Sequence, residues 1–231
     1  MYDPKDIINL IADNVRKTKN PFGVPKFAIN NWWKKANIPQ KGDALLFTGL
    51  MYQFVPYIEK STSYLTRFED TPWANYLKYG KYVPKLLSGL GLAAITPGRE
   101  KKKFNGILMD IAEILTKSKV DFYYDPTLDE YSGVLLYDLG DQDSFVQHAR
   151  GVAARLKQNG IKKLITVDPH TTYALKILFP NYTGESFEVH TYFALLTLTS
   201  KIGHKKSALH DPCWYGRDLE VSDVPGNVLA C

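Results

Sequence analysis

Two short segments decide the fold. Glu130-Tyr131-Ser132-Gly133 opens a stretch that closes with Asp168-Pro169-His170-Thr171-Thr172-Tyr173-Ala174-Leu175-Lys176, and 35 residues lie between Ser132 and Asp168. Within that interval the spacing predicts a helix over 142–158. Phe145, Ala149, Val152, Ala153 and Leu156 fall on one of its faces, and Asn159-Gly160 ends it. The apolar run Lys163 to Val167 then reads as a buried strand, and a helix from Thr171 to Leu178 follows it. By residue chemistry alone Tyr131 to Gly133 is a loop. Asp168 before Pro169 is the cap of a strand-to-helix turn.

The same alternation extends outward. Asp43 to Thr48 is a second apolar strand, closed by Gly49-Leu50, and Met51 to Phe68 continues as a helix interrupted at Pro56. Lys101 to Ser118 has the helical apolar period, Val120 to Tyr124 reads as a strand, and Ser186 to His190 as another, leading into a helix through about Ile202. At the N-terminus Asp3-Pro4 starts a helix to about Lys17, which the break Lys19-Asn20-Pro21-Phe22-Gly23 ends before Trp32-Trp33. Trp32 and Trp33 read as packing over the domain edge. The expected class is α/β: a parallel sheet with crossover helices on both faces, an N-terminal helix and a helical insertion.

The most specific local motif lies near the C-terminus, in Ser207-Ala208-Leu209-His210-Asp211-Pro212-Cys213-Trp214-Tyr215-Gly216-Arg217. His-Asp-Pro-Cys, an aromatic residue and Gly-Arg resemble the opening of the cysteine-rich CCG repeat of heterodisulfide reductase B/D-type iron–sulfur subunits. That repeat also occurs in anaerobic glycerol-phosphate dehydrogenase and glycolate oxidase iron–sulfur subunits. It reads Cys, a gap, Cys-Cys-Gly, about 35 residues, then Cys-Pro-x-Cys. The segment from Glu130 to Lys176 resembles the same repeat with its frame kept (Gly133, Pro169, Tyr173-Ala174-Leu175-Lys176) and its thiols replaced. The resemblance implies that Leu50, Tyr131, Ser132, Asp168 and Thr171 stand at the five former ligand positions, and that Cys213 is the first ligand of a second cluster. It divides the chain into an N-terminal helix and lead-in (1–42), a degenerate first repeat (43–205) and the start of a second (206–231). Eighty residues separate Leu50 from Tyr131, about twice the family's usual gap, so an insertion falls at about 68–98.

Iron–sulfur clusters are held by thiolates, and Tyr, Ser, Asp, Thr and Leu do not replace them. No cluster is therefore expected at the first repeat. One is expected only if a complete second repeat exists. Only two cysteines are present, Cys213 and Cys231, without a C-x-x-C pair. His210 and Cys213, with Cys231 folding back, form an incomplete zinc set, and a free thiol in a turn is the plainer reading. His148, His170, His190 and His204 are dispersed, and His170 reads as a helix-start contact of Asp168. Gly89-Leu90-Gly91-Leu92-Ala93-Ala94 matches G-x-G-x-x-A, with Asp110 following, but Pro97-Gly98 breaks any long helix after it and no strand precedes it.

A net charge of +5, with one dense run at Arg99 to Lys103, does not make a nucleic-acid surface, and that run reads as the solvated start of a helix. No leader-like or membrane-spanning run stands out, so the expected place is the cytoplasm or the periphery of a membrane. The insertion carries Trp73, Tyr76, Tyr79, Tyr82, Leu86, Leu87 and Leu90 among Lys78, Lys81 and Lys85. It reads either as a helical hairpin covering the sheet or as a surface for a membrane or a membrane subunit. Two functions stay open. One is a heterodisulfide-reductase-like oxidoreductase subunit, passing electrons or reducing a disulfide, with ferredoxin-like or flavoprotein partners. The other is a cofactor-free scaffold that docks partners.

Overall fold

The structure is a computed structural model that describes residues 3–72, 79, 80, 82–197, 215 and 219. Its centre is a four-stranded parallel sheet in the order β2-β1-β3-β4, built from β1 (Ala44–Phe47), β2 (Phe122–Tyr123), β3 (Lys163–Thr166) and β4 (Glu188–Thr191). The central strand β1 is buried along its whole length, as its unbroken apolar run requires. Its side chains alternate between two cores. Leu45 and Phe47 face one core; Ala44 and Leu46 face the other.

Helices cover both faces. On the first lie α1 (Pro4–Thr18), the start of α3 (Met51–Phe68), α7 (Gln142–Gln158) and the helical run from α8 (Pro169–Tyr173) to α9 (Phe179–Thr183). The second face is covered by α5 (Gly98–Lys117) together with Trp32, which stands in a 3-10 turn (Trp32–Lys35). Short α2 (Lys26–Ile29) precedes that turn, α4 (Lys85–Ile95) packs on α1 and α3, and α6 (Val134–Asp138) precedes α7. The α/β architecture with helices on both faces is the one expected from the alternation of patterns.

Local chemistry explains the helix ends. Asp3 accepts the Lys5 amide at the start of α1 (2.9 Å) and Asp141 accepts the Ser144 amide at the start of α7 (3.1 Å). Lys19 takes a left-handed conformation to close α1. Arg16 donates to the Ser144 hydroxyl at 3.0 Å, joining α1 to α7.

Three expectations change. Pro56 does not interrupt α3, which runs unbroken through it; one missing donor is tolerated where Phe54, Pro56 and Tyr57 are buried. The helix after β3 runs past Leu178 to Thr183, through a π-helical segment (Ala174–Leu178). Pro180 has no amide to give the Lys176 carbonyl, and a π segment is how a helix passes such a defect. After β4 only a 3-10 turn forms (Tyr192–Leu195), and Leu196 is already extended. The rest of the expected helix, residues 198–202, lies outside the described residues.

The G-x-G-x-x-A match lies inside α4, not at a strand-to-helix turn. Gly89 is glycine for packing: an added Cβ would stand 2.0 Å from the Gly23 carbonyl oxygen, while Gly91 faces open space. The two glycines of one helix therefore have opposite expected responses. Gly89→Ala should cost about 2 kcal/mol through an unrelieved backbone clash. Gly91→Ala should gain about 0.5 to 1 kcal/mol by stiffening the helix. Urea midpoints of the two variants measure this, and equal tolerance at both positions would contradict the packing of α4 on the Gly23 turn.

Candidate functional site at the ends of β1 and β3

In an open parallel sheet the chain turns to opposite sides of one strand at a switch point, and the crevice beyond the strand ends is the usual ligand site. Here β1 pairs with β2 on one side and β3 on the other. The segments leaving β1 and β3 are Thr48-Gly49-Leu50 and Val167-Asp168-Pro169. All five positions marked by the sequence, Leu50, Tyr131, Ser132, Asp168 and Thr171, are buried.

Asp129 organises this end of the sheet. Its carboxylate accepts the Thr48 amide (2.8 Å), the Thr48 hydroxyl (2.6 Å) and the Gly49 amide (3.1 Å). The Tyr124 hydroxyl lies 2.8 Å from Asp129 Oδ2 and 2.8 Å from Asn30 Oδ1. A phenol has one proton. While Asp129 is ionised that proton serves the carboxylate, and the Asn30 amide turned over donates to the phenol oxygen, which also gives its otherwise unpaired nitrogen a partner. Gln53 Nε2 donates to the Thr48 hydroxyl at 2.9 Å. Complete burial pushes Asp129 up to about 6, against the pull of Thr48, Tyr124 and the Lys26 charge.

This anchoring holds an unusual backbone. Gly49 and Leu50 are both left-handed, at φ 59° and 60°. For Leu50 that conformation costs about 1 to 2 kcal/mol. Gly49 must be glycine for a second reason: an added Cβ would stand 2.1 Å from Thr171 Oγ1. The turn after β1 is thus seated directly on Thr171 of the helix that follows β3.

The Tyr131-Ser132-Gly133 segment is equally constrained. The Tyr131 hydroxyl accepts the Leu135 amide (2.7 Å), its ring meets Phe54 edge-on (5.6 Å), and its carbonyl lies 2.7 Å from His148 Nε2. Burial pushes His148 down to about 4, so its neutral ring donates to that carbonyl. Gly133 is left-handed (φ 89°), and an added Cβ would meet the His148 ring at 2.9 Å. The Glu130 carboxylate pairs with Arg155 of α7.

Asp168 caps α8 as its position before Pro169 suggests, accepting the Thr171 amide at 2.9 Å. His170 Nδ1 stands 3.9 Å from the same carboxylate oxygen, consistent with a helix-start contact. The second oxygen, Oδ2, finds no hydrogen-bond partner among the described residues, and neither do the hydroxyls of Ser132 and Thr171. Burial pushes Asp168 up to about 6; the amides of Thr171 and His170 pull it back and the Asp129 charge pushes it further. The Thr171 hydroxyl is near enough to favour the carboxylate but lies outside hydrogen-bond geometry. Burial, then Tyr192 and the Asp168 carboxylate, lift Tyr52 to about 12.

These residues do not fit an iron–sulfur cluster. Leu50 offers no donor atom, the Tyr131 hydroxyl is occupied by a backbone amide, and the remaining oxygens are hard ligands where iron–sulfur chemistry needs thiolates. His210, Cys213 and Cys231 lie outside the described residues, as do His204, Trp73 and Tyr76. Among the described residues no group of three or more His, Cys, Asp or Glu could hold a metal ion.

Comparison with known proteins bears on this site. The chain is 28% identical over 131 residues to the probable iron–sulfur-binding oxidoreductase FadF of Bacillus subtilis (strain 168), and 30% identical over 127 residues to the EtfAB:quinone oxidoreductase of Syntrophomonas wolfei subsp. wolfei. About half of this chain resembles redox proteins. The matches cover 53% and 52% of it and 18% of each relative's length. No family model matches the chain, and no solved structure does.

Asp129, Thr48, Tyr124 and Gln53 carry no motif of their own. Their one signal is Thr48, a hydroxyl ending a fully buried apolar strand, which requires a polar partner somewhere. The two raised carboxylates set a pH dependence. Each binds its proton more tightly in the folded than in the unfolded chain. Their contribution is therefore most favourable below pH 4 and is lost as pH rises to about 6. Asp168→Asn keeps the cap and removes the buried charge, so it should stabilise the fold by about 2 kcal/mol at pH 7.5 and hardly at all at pH 4. Denaturation at the two pH values tests this; a loss of stability at pH 7.5 would contradict it.

Proposed function

We propose that this chain is part of an iron–sulfur oxidoreductase of the heterodisulfide reductase type, in which the first cluster-binding repeat has given up its cluster. The observation that carries the reading is the coincidence of two independent facts. The chain is similar to an iron–sulfur-binding oxidoreductase and a quinone oxidoreductase over half its length. The five positions at which the cysteine-rich repeat would place ligands are buried, and Leu50, Asp168 and Thr171 stand at the ends of β1 and β3, where the fold would place a ligand. In this reading residues 43–205 form the degenerate repeat with its insertion at about 68–98, and 206–231 begin a second repeat in which Cys213 is a cluster ligand. A cluster held there by Cys213 with further thiolates of a complete second repeat would supply one-electron transfer, and the chain would then pass electrons between a ferredoxin-like or flavoprotein partner and a disulfide or carrier. In this reading the first repeat carries no redox group of its own.

A second reading is favoured by one specific feature. Leu86, Leu87, Leu90 and Ile95 of α4 are exposed, at 57%, 63%, 38% and 48%. An apolar helix surface left open, followed in sequence by the exposed Arg99, Lys102 and Lys103, suits a docking surface for a membrane or partner subunit, and a cofactor-free scaffold would need no more than that.

Iron and labile sulfide in protein purified without oxygen separate the two. With a complete second repeat present to supply the remaining thiolates, the oxidoreductase reading expects bound iron with visible absorbance, lost in Cys213→Ala and unchanged in Ser132→Ala or Thr171→Val. Colourless, iron-free protein with that second repeat present would overturn it in favour of the scaffold. Iron lost in Ser132→Ala or Thr171→Val but kept in Cys213→Ala would overturn the assignment of the first repeat as cluster-free.

A further inference from the structure

A cavity of about 20 Å³ lies where α2, α3 and α5 meet. Gln53, Pro56 and Tyr57 of α3 line it, with Asn31 and with Lys101 and Asn105 of α5. It is too small for an organic ligand, whose sites run to about 300 Å³ and more. One water needs about 10 to 15 Å³ of such space, provided that polar partners surround it. Most of the lining side chains end in polar groups.

Two buried atoms of this lining have no hydrogen-bond partner among the described residues, Gln53 Oε1 and the Tyr57 hydroxyl. Gln53 is 3% exposed and Tyr57 1%. The other end of the Gln53 amide fixes its orientation. Its Nε2 donates to Thr48 Oγ1 (2.9 Å), the Leu50 amide donates to the same oxygen (3.2 Å), and the one hydroxyl proton goes to Asp129 (2.6 Å). Turned over, the amide would set its oxygen against a hydroxyl with no proton to spare. Oε1 is therefore the end left over, a buried acceptor that needs a donor. Burial pushes the Tyr57 phenol up, so it keeps its proton and has one to donate. The Lys101 ammonium donates to the Ala93 carbonyl (2.8 Å) and stands 5.9 Å from the Tyr57 ring centre. Asn105 Nδ2 donates to Asn31 Oδ1 at 3.2 Å on the exposed side.

We infer that this cavity binds one water molecule, which donates to Gln53 Oε1 and accepts from the Tyr57 hydroxyl. The juxtaposition that carries the inference is a cavity of one-water size walled by a buried acceptor and a buried donor, four residues apart on one helix face. A neutral molecule that both donates and accepts satisfies the two groups together. A cation would meet the Lys101 charge, and an anion would meet the Gln53 oxygen. The water extends the Asp129 network from the carboxylate through Thr48 and Gln53 to Tyr57. It also holds Gln53 in the orientation that leaves the Thr48 proton to Asp129. The inference is independent of the iron–sulfur reading.

High-resolution crystal structures of the whole chain and of the double variant Gln53→Met with Tyr57→Phe test it. In the native chain one ordered water is expected about 2.7 to 3.2 Å from both Gln53 Oε1 and Tyr57 Oη. In the double variant that water should be lost, because the two groups that hold it are gone. Nuclear magnetic resonance gives the same reading in solution. The Gln53 side-chain amide protons should show a cross-peak to a long-lived water, with the sign of a molecule that tumbles with the protein and not that of surface hydration. Tyr57→Phe alone, which keeps the ring and the Gln53–Thr48 bond, should weaken that cross-peak, so the test stands even where the double variant does not fold. A native cavity without water, a direct protein partner on Gln53 Oε1 or Tyr57 Oη, or a water held unchanged in the variants would overturn the inference.

Discussion

One buried carboxylate fixes the end of the sheet. Asp129 receives two successive backbone amides and a hydroxyl from the turn after β1, and a phenol from the strand-end residue Tyr124. Those amides belong to a turn with two left-handed residues in a row, a shape the chain adopts only when something over-determines it. The loop that carries Asp129 also carries Glu130 to Gly133, so the same contacts bring Tyr131 and Ser132 to the β1 end. Thr171 is placed by its contact with Gly49, and Asp168 by capping the helix that holds Thr171.

The electrostatic consequence is that the polar centre is costly. Two carboxylates are buried at this end of the sheet, and both are pushed up to about 6. Asp129 is compensated by three hydrogen bonds from Thr48 and Gly49 and one from Tyr124, whereas Asp168 has one oxygen compensated and one not. Leu50 and Tyr131 fill this end of the sheet with an apolar and a hydrogen-bonded side chain, while Asp168 Oδ2 and the hydroxyls of Ser132 and Thr171 find no hydrogen-bond partner among the described residues.

The sheet and its helices were legible in the sequence because their signals are local and strong. β1 and β3 are unbroken apolar runs, α7 has a clean 3.6-residue period with Asp141 at its start and Asn159-Gly160 at its end, and Asp168-Pro169 announces a capped helix. Gly133 was legible as a fixed mark, and the structure supplies its reason in the His148 ring. The other features depend on partners distant in sequence. Asp129 lies 81 residues from Thr48, and no spacing rule links an acid to a strand end that far away. The π segment after β3 reflects a proline deep in a helix, whose effect on the carbonyls before it periodicity does not reveal. The G-x-G-x-x-A match at Gly89, which Pro97-Gly98 and the missing strand already argued against, reflects close approach to the Gly23 carbonyl and not to a phosphate.

The central claim is that the Asp129 carboxylate holds the turn after β1 and, through it, the whole candidate site. Residue-resolved amide hydrogen exchange on the native chain and on Asp129→Ala addresses it most directly. The account predicts that the Thr48 and Gly49 amides are strongly protected in the native protein. In the variant that protection should fall together with that of the Thr171 amide, while amides in the middle of α7 stay protected. Unchanged protection at Thr48 and Gly49 in Asp129→Ala would contradict it, because the turn would then be held by something other than the carboxylate.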